Sequence, residues 1–346
     1  MEELTNIRFP AEWETQSGVQ LTWPHAGTDW RGMLDEVTPC FAAITREIVA
    51  RERLLIVCPD AEDARGRLGP GVNLDNIRFC GLQSNDTWAR DHAPLGVFEN
   101  GQPALCDFAF NGWGLKFPAE LDNRITRRLF QAGVFAPEVQ YRNLLGEVLE
   151  GGSVESDGQG TIMTTAACLL SPNRNGYETR DEAEALLRRT LGTQRVLWLQ
   201  HGHLAGDDTD SHVDTLARFC TPNTIAYVSC DNPGDEHHEA LKKMEQELLA
   251  MRTLEDRPYA LVPLPMAEPV FEEDGRRLPA TYANFLIING AVLMPTYASP
   301  QDAFARDRLQ QAFPDREIVG IDCRPLIRQH GSLHCVTMQY PAGFLV

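Results

Sequence analysis

A chain of 346 residues, 43% hydrophobic and 23% charged, has the composition of an ordinary globular protein with enough length to bury a large core. Its net charge of −18 argues against a nucleic-acid partner, which would require clustered Lys and Arg. No apolar run approaches the roughly 18 residues of a membrane span, and Met1-Glu2-Glu3-Leu4-Thr5 lacks the basic start and apolar stretch of a secretory signal, so a cytoplasmic protein is expected.

Helices followed by strands recur along the chain. Residues 34–50 place Leu34, Val37, Phe41, Ile44 and Ile48 at helical spacing and lead to a strand at Leu54-Leu55-Ile56-Val57. Residues 119–131 lead to Val139-Gln140-Tyr141, and residues 180–191 lead to Arg195–Leu199. Residues 235–251 lead to Ala260-Leu261-Val262, and residues 301–313 to Glu317–Ile321. Repetition at such a period predicts copies of one supersecondary unit around a shared centre. No stretch has the composition of a linker, so one domain over 1–346 is expected. The nine cysteines form no Cys-x-x-Cys pair, which points to neither a disulfide framework nor a zinc ribbon. Most sit in apolar runs as small core residues.

A second extended segment follows each repeated strand, and four of these carry chemistry. The first holds Trp88 and Asp91, where an aromatic face beside a carboxylate suits a flat delocalised cation; an Arg90–Asp91 surface ion pair is the plainer alternative. The second holds Glu150 before Gly151-Gly152. The third holds His212 and Asp214, which face one side if Ser211–Phe219 is extended. The fourth, Asn284–Gly290, carries no such group. The fifth is Gly331-Ser332-Leu333-His334-Cys335-Val336-Thr337, where a turn presents a thiol. His201, His203, Asp207, Asp208, Asp210, His212 and Asp214 together read as metal ligands, but their spacing matches no common metal motif. Lys116, in the loop after Asn111-Gly112-Trp113-Gly114, is a solvated lysine or a catalytic one.

One reaction uses Cys335, His212, Glu150, Asp91 and Asp214 together. A guanidinium remains protonated at any working pH, so carboxylates can grip its nitrogens while a thiolate attacks its carbon. His212 would move the protons with Glu150 holding its charge and orientation, and no cofactor is required. The chain's negative field attracts such a cation, although solubility alone also explains an acidic surface.

Trp-x-x-Asp at 88–91, Glu-Gly-Gly-Ser at 150–153, His-Val-Asp at 212–214 and Gly-Ser-Leu-His-Cys-Val-Thr at 331–337 resemble the agmatine deiminase and bacterial peptidylarginine deiminase family. Pro10-Ala11-Glu12-Trp13-Glu14, Thr22-Trp23-Pro24 and Asn173-Arg174-Asn175 are similar too. The resemblance implies the pentein α/β propeller, five pseudo-symmetric ββαβ blades around a central site. It implies Cys335 as nucleophile, His212 as acid and base, Glu150 as its partner, Asp91 and Asp214 as guanidinium clamps, and Trp88 as pocket wall. The implied reaction passes through a covalent amidino intermediate. In the agmatine branch it yields N-carbamoylputrescine and ammonia, feeding polyamine synthesis. Gly206–Ser211 is where the resemblance departs, so the contacts to the substrate's far end stay open. Asp86 or the acidic loop at 207–210, Asp208 among it, suits the ammonium of agmatine, whereas free arginine would want a cation beyond Arg90 and Lys116. Peptidyl-arginine or another amidino compound is the alternative substrate. From other classes, a metal-dependent hydrolase and a non-catalytic guanidino binder remain, and the oligomeric state, a homo-oligomer among the options, stays open.

Overall fold

The computed structural model describes residues 6–346. The helix expected over 34–50 runs from Leu34 to Val49 and buries Val37, Phe41, Ile44 and Ile48 on one face. Arg180–Leu191 shows what limits such a helix. Thr179 and Glu182 form a reciprocal capping box at its start, and Gly192, with φ 71°, ends it. His238–Ala250 and Gln301–Ala312 complete the long helices. The helix expected over 119–131 is shorter: Ile125–Gln131 is α-helical, and Asp122–Arg124 is a 3-10 turn. The Asn85 side chain takes the Leu121 and Asp122 N–H groups, while Asn123 bonds back to Phe110. Those local bonds compete with the helix and hold the stretch in turns.

The strands form five separate sheets. In four of them two successive strands pair antiparallel and a third, after a helix, lies parallel beside the second. These are Leu95–Glu99, Gln102–Ala109 and Gln140–Val148; Glu155–Ser156, Thr161–Thr165 and Arg195–Leu199; Ala217–Thr221, Thr224–Ser229 and Ala260–Pro265; and Leu286–Ile288, Ala291–Thr296 and Glu317–Asp322. The remaining sheet is composite. Thr337–Pro341 pairs antiparallel with Gln16–Thr22, which lies parallel to Arg53–Cys58, and Ile77–Gly81 completes that sheet. Five ββαβ units result, the fold class expected of a pentein. No helix among the described residues is long and apolar enough to cross a membrane.

A turn precedes the first strand of each ββαβ unit, and successive units are joined at these turns, in one case through Thr165 at the end of the strand Thr161–Thr165. Gly152 N–H donates to Asp91 (3.0 Å), and Thr165 Oγ1 to the Ser211 carbonyl (2.8 Å). Asn284 Nδ2 reaches Asp214 (3.4 Å), His334 N–H donates to Asn284 Oδ1 (2.9 Å), and Arg90 N–H donates to the Cys335 carbonyl (3.1 Å). The last bond closes the ring.

Tyr340 anchors the composite sheet, fully buried, with its hydroxyl on Gln20 (2.6 Å) and its ring against Phe135. Tyr340→Ala is expected to destabilise the fold by about 3–5 kcal/mol, the range for truncating a buried aromatic. Urea unfolding measures this, and a midpoint equal to the wild type would show that the closing strand contributes nothing.

Candidate active site

Cys335 lies in the turn before Thr337–Pro341, 5% exposed. Its Sγ is 3.4 Å from Asn284 Oδ1, which also accepts from the Cys335 and His334 N–H groups. Gly331 is required on the approach to this turn. A Cβ added there would stand 2.2 Å from the Trp88 ring. Burial, then the charges of Asp214 and Asp91, push the Cys335 thiol well above 9, which favours its protonated form.

Asp91 occupies a one-turn helix, Ala89–His92, and each of its oxygens is fixed. Gly152 N–H donates to Oδ1, and Trp113 Nε1–H donates to Oδ2 (3.0 Å). Burial raises its pKa to about 6, helped by Asp214 and Glu150 and opposed by His212. Asp214 is different. Its Oδ2 lies 2.7 Å from His334 Nδ1, while its buried Oδ1 has no hydrogen-bond partner. Burial acts to raise Asp214, but His334, His212 and Arg218 together outweigh it and hold the carboxyl below the usual range. Both ring nitrogens of His212 are buried without a hydrogen-bond partner, and Nδ1 is 3.6 Å from Asp91 Oδ1. Burial disfavours charge on His212, yet Asp91, Cys168 and Glu150 raise its pKa well above 6.5. The ring is therefore protonated at neutral pH. Gly152 makes this convergence possible, since a Cβ there would lie 2.6 Å from His212 Nδ1 and 2.9 Å from Asp91 Oδ1.

These groups adjoin a cavity of about 520 Å³, open mouth included. Cys335, Asp91, Trp88, Trp113 and Phe117 line it, and Asp29, Asp86 and Asp208 add carboxylates. Burial lifts Asp86 to about 6, and Trp30 Nε1–H donates to it. Trp88, Asp86, Asp91, Asp208 and Cys335 thus line this cavity, whereas His212, Asp214 and Glu150 are not among its lining residues, and three details differ from expectation. His212 caps a 3-10 turn, Val213–Thr215, that contains Asp214, and the strand starts only at Ala217; the Thr215 N–H and hydroxyl both donate to the His212 carbonyl and tighten the turn. Glu150 makes no hydrogen bond to His212, because Arg174 Nε takes both its oxygens (2.9 and 3.0 Å). Arg90 is buried facing Glu12 (3.8 Å), so it is no surface partner of Asp91.

The acidic loop does not gather as a metal site. His201 pairs with Glu247, Asp207 accepts from Thr209 and Ser211, and Asp210 accepts from Lys116 and Arg174. Asn284, His334, Glu12 and Arg174 are contacts that sequence reasoning left without a role. Asn284 had a signal: like Cys335, it stands two residues before the first strand of its sheet.

The site suits thiol chemistry on a small cation. The chain belongs to the Porphyromonas-type peptidyl-arginine deiminase family, whose pattern spans residues 8–341. It is 34% identical to the agmatine deiminase of Pseudomonas aeruginosa strain LESB58, with 97% of this chain and 96% of the relative covered. A solved structure from Porphyromonas gingivalis, provisionally termed an arginine deiminase, is 55% identical with a TM-score of 0.94 over 98% of this chain and 100% of that one. A cysteine-to-serine variant of C. jejuni agmatine deiminase with substrate bound is 35% identical, with a TM-score of 0.89 over 98% and 97% of the two chains.

A thiol shifted this way reacts slowly until the medium is strongly alkaline. Alkylation of Cys335 by iodoacetamide, followed by mass spectrometry of its peptide, is expected to keep accelerating beyond pH 9. A rate that levels off between pH 7 and 8 would contradict the protonated state.

Proposed function

We propose that the protein is an agmatine deiminase, converting agmatine and water to N-carbamoylputrescine and ammonia. The observation that carries this is the placing of Cys335 among Asp91, Asp214 and the protonated His212 at a cavity lined with further carboxylates. The two cations the sequence offers nearby are both engaged. Arg90 Nε donates to the His334 carbonyl (3.4 Å), and Lys116 Nζ donates to Asp210 (2.8 Å) and the Asp208 carbonyl. The pocket therefore favours an ammonium at the substrate's far end over the carboxylate of arginine. Asp86 and Asp208 are the proposed tail contacts, with Trp88 as wall.

The guanidinium enters between Asp91 and the free Oδ1 of Asp214. Burial and the two carboxylates together hold the Cys335 thiol protonated; the positive charge of the guanidinium offsets the carboxylates and favours the thiolate, so the thiol proton leaves to solvent as the cation arrives. The thiolate then forms a bond to the guanidinium carbon. His212 donates its proton to one departing nitrogen, which leaves as ammonia, and an amidino group remains on sulfur. Water attacks that carbon while His212 takes one of its protons. The carbon–sulfur bond breaks, and the hydroxyl proton returns to the thiolate as the urea carbonyl forms. Glu150, tied by Arg174, supplies a fixed negative charge beside His212. No redox partner enters the balance.

Ammonia release from agmatine, arginine and a blocked arginine peptide tests the reading. Wild type is expected to prefer agmatine, and Cys335→Ala to lose turnover, while His212→Gln is expected to lose about 10²–10⁴-fold, the usual contribution of an acid–base group. Equal turnover by Cys335→Ala, or arginine as the preferred substrate, would overturn it. The pH profile gives a second check. Because the Asp91 pKa is raised, the clamp is charged above about 6 and neutralised below it. The profile of kcat/KM, which reports the free enzyme, should fall tenfold per unit below about pH 6. A flat profile down to pH 5 would remove Asp91 from this role.

A further inference from the structure

His334 stands between two carboxylates. Its Nδ1 is 2.7 Å from Asp214 Oδ2, and its Nε2 is 2.8 Å from Glu12 Oε2. All three side chains are at most 8% exposed. Glu12 reaches this point from the segment before the composite sheet. Its Oε2 also accepts from Arg218 Nη2 (2.8 Å), and its Oε1 takes the Ile287 N–H (2.7 Å).

We propose that Glu12 is a positioning residue for catalysis: it holds His334 with a proton on both ring nitrogens, and that imidazolium fixes Asp214 with Oδ1 free for the guanidinium. The inference rests on the deiminase reading only for the identity of the ligand.

The argument is one of hydrogen counting. Burial acts to raise the Glu12 pKa, but Arg218 and His334 hold it well below the carboxylate range, and Asp214 is likewise lowered. Both acids are then ionised and have no hydrogen to give. Each contact needs a proton from the ring, and a neutral imidazole carries one. Burial, Arg218 and Arg90 pull the His334 pKa below its usual value overall, with Glu12 and Asp214 acting against them. The second proton is assigned against that pull, on the two short contacts from the ring nitrogens to carboxylate oxygens. With Glu155 on the far side of Arg218, these are the charged groups around the ring. The doubly protonated ring satisfies both carboxylates at normal donor distances, whereas a neutral ring leaves two buried lone pairs facing each other at one end. With Oδ2 anchored, Asp214 cannot rotate to satisfy Oδ1 elsewhere. Oδ1 is thereby kept buried and without a partner until a cation takes it.

Glu155 provides the control, because it pairs with the same Arg218 without touching His334. Glu12→Gln keeps the size and one acceptor but removes the charge, as Glu155→Gln does at the other end of Arg218. Nitrogen-15 spectra of histidine-labelled protein, with His334→Asn to assign the signal, are expected to show both His334 nitrogens protonated at pH 7 in wild type. In Glu12→Gln the ring should become neutral. Agmatine kcat/KM should fall at least about tenfold further in Glu12→Gln than in Glu155→Gln at matched folded fraction, with KM rising as the clamp loosens. A neutral His334 in wild type, or equal losses in the two variants, overturns the proposal. If wild type turns over no agmatine, the deiminase reading falls, and the ring signals of wild type and Glu12→Gln still decide whether Glu12 controls His334.

Discussion

Burying like charges is the constraint on which this structure turns. Asp91, Glu150 and Asp214 are brought together without exposure to water, and an uncompensated carboxylate there would cost several kcal/mol. Each is compensated differently. Glu150 has one arginine Nε–H shared between both its oxygens, Asp214 has an imidazole on one oxygen, and Asp91 has two neutral donors and a histidine at longer range. The acid with the weakest compensation also lines the cavity, and its pKa is raised accordingly. Attraction for a cation is thus the remainder of an otherwise balanced centre.

That balance extends outward from the centre. Glu150, Arg174, Asp210 and Lys116 alternate in sign from a fully buried carboxylate to a partly exposed ammonium. The loop supplying Asp210 is held in an uncommon conformation, with φ 65° at both Asp210 and Ser211. Asp207 secures it by accepting from Thr209 and Ser211, and Arg174 by donating to the Thr209 carbonyl. Local strain of this sort persists only where surrounding contacts determine it. Here it places a carboxylate within reach of both Lys116 and Arg174.

Much of this was legible in the sequence because the repeated unit leaves a periodic trace. The apolar spacing of 34–50, 180–191, 235–251 and 301–313 survives as helices, and the strands after them follow within a residue or two. The segment at 119–131 failed where Asn85 and Asn123 offered the backbone other partners, a tertiary effect that spacing does not register. Cys335, His212, Asp91 and Glu150 stood out because their neighbours are unusual. Asn284 did not, since an amide before an apolar strand resembles any strand end. Its meaning comes from superposing the five units, where it falls in register with Cys335. Glu12 and His334 act through each other across 322 positions, and no local pattern encodes such a pairing.

The composite sheet bears on synthesis. Gln16–Thr22 is made early, but its antiparallel partner, Thr337–Pro341, emerges after every other strand, and it brings Cys335 with it. Until then the nascent chain carries the carboxylates and the histidine without the nucleophile or the imidazole that tethers Asp214. Activity therefore begins as a single late event, when the last strand docks and the ring of turns shuts.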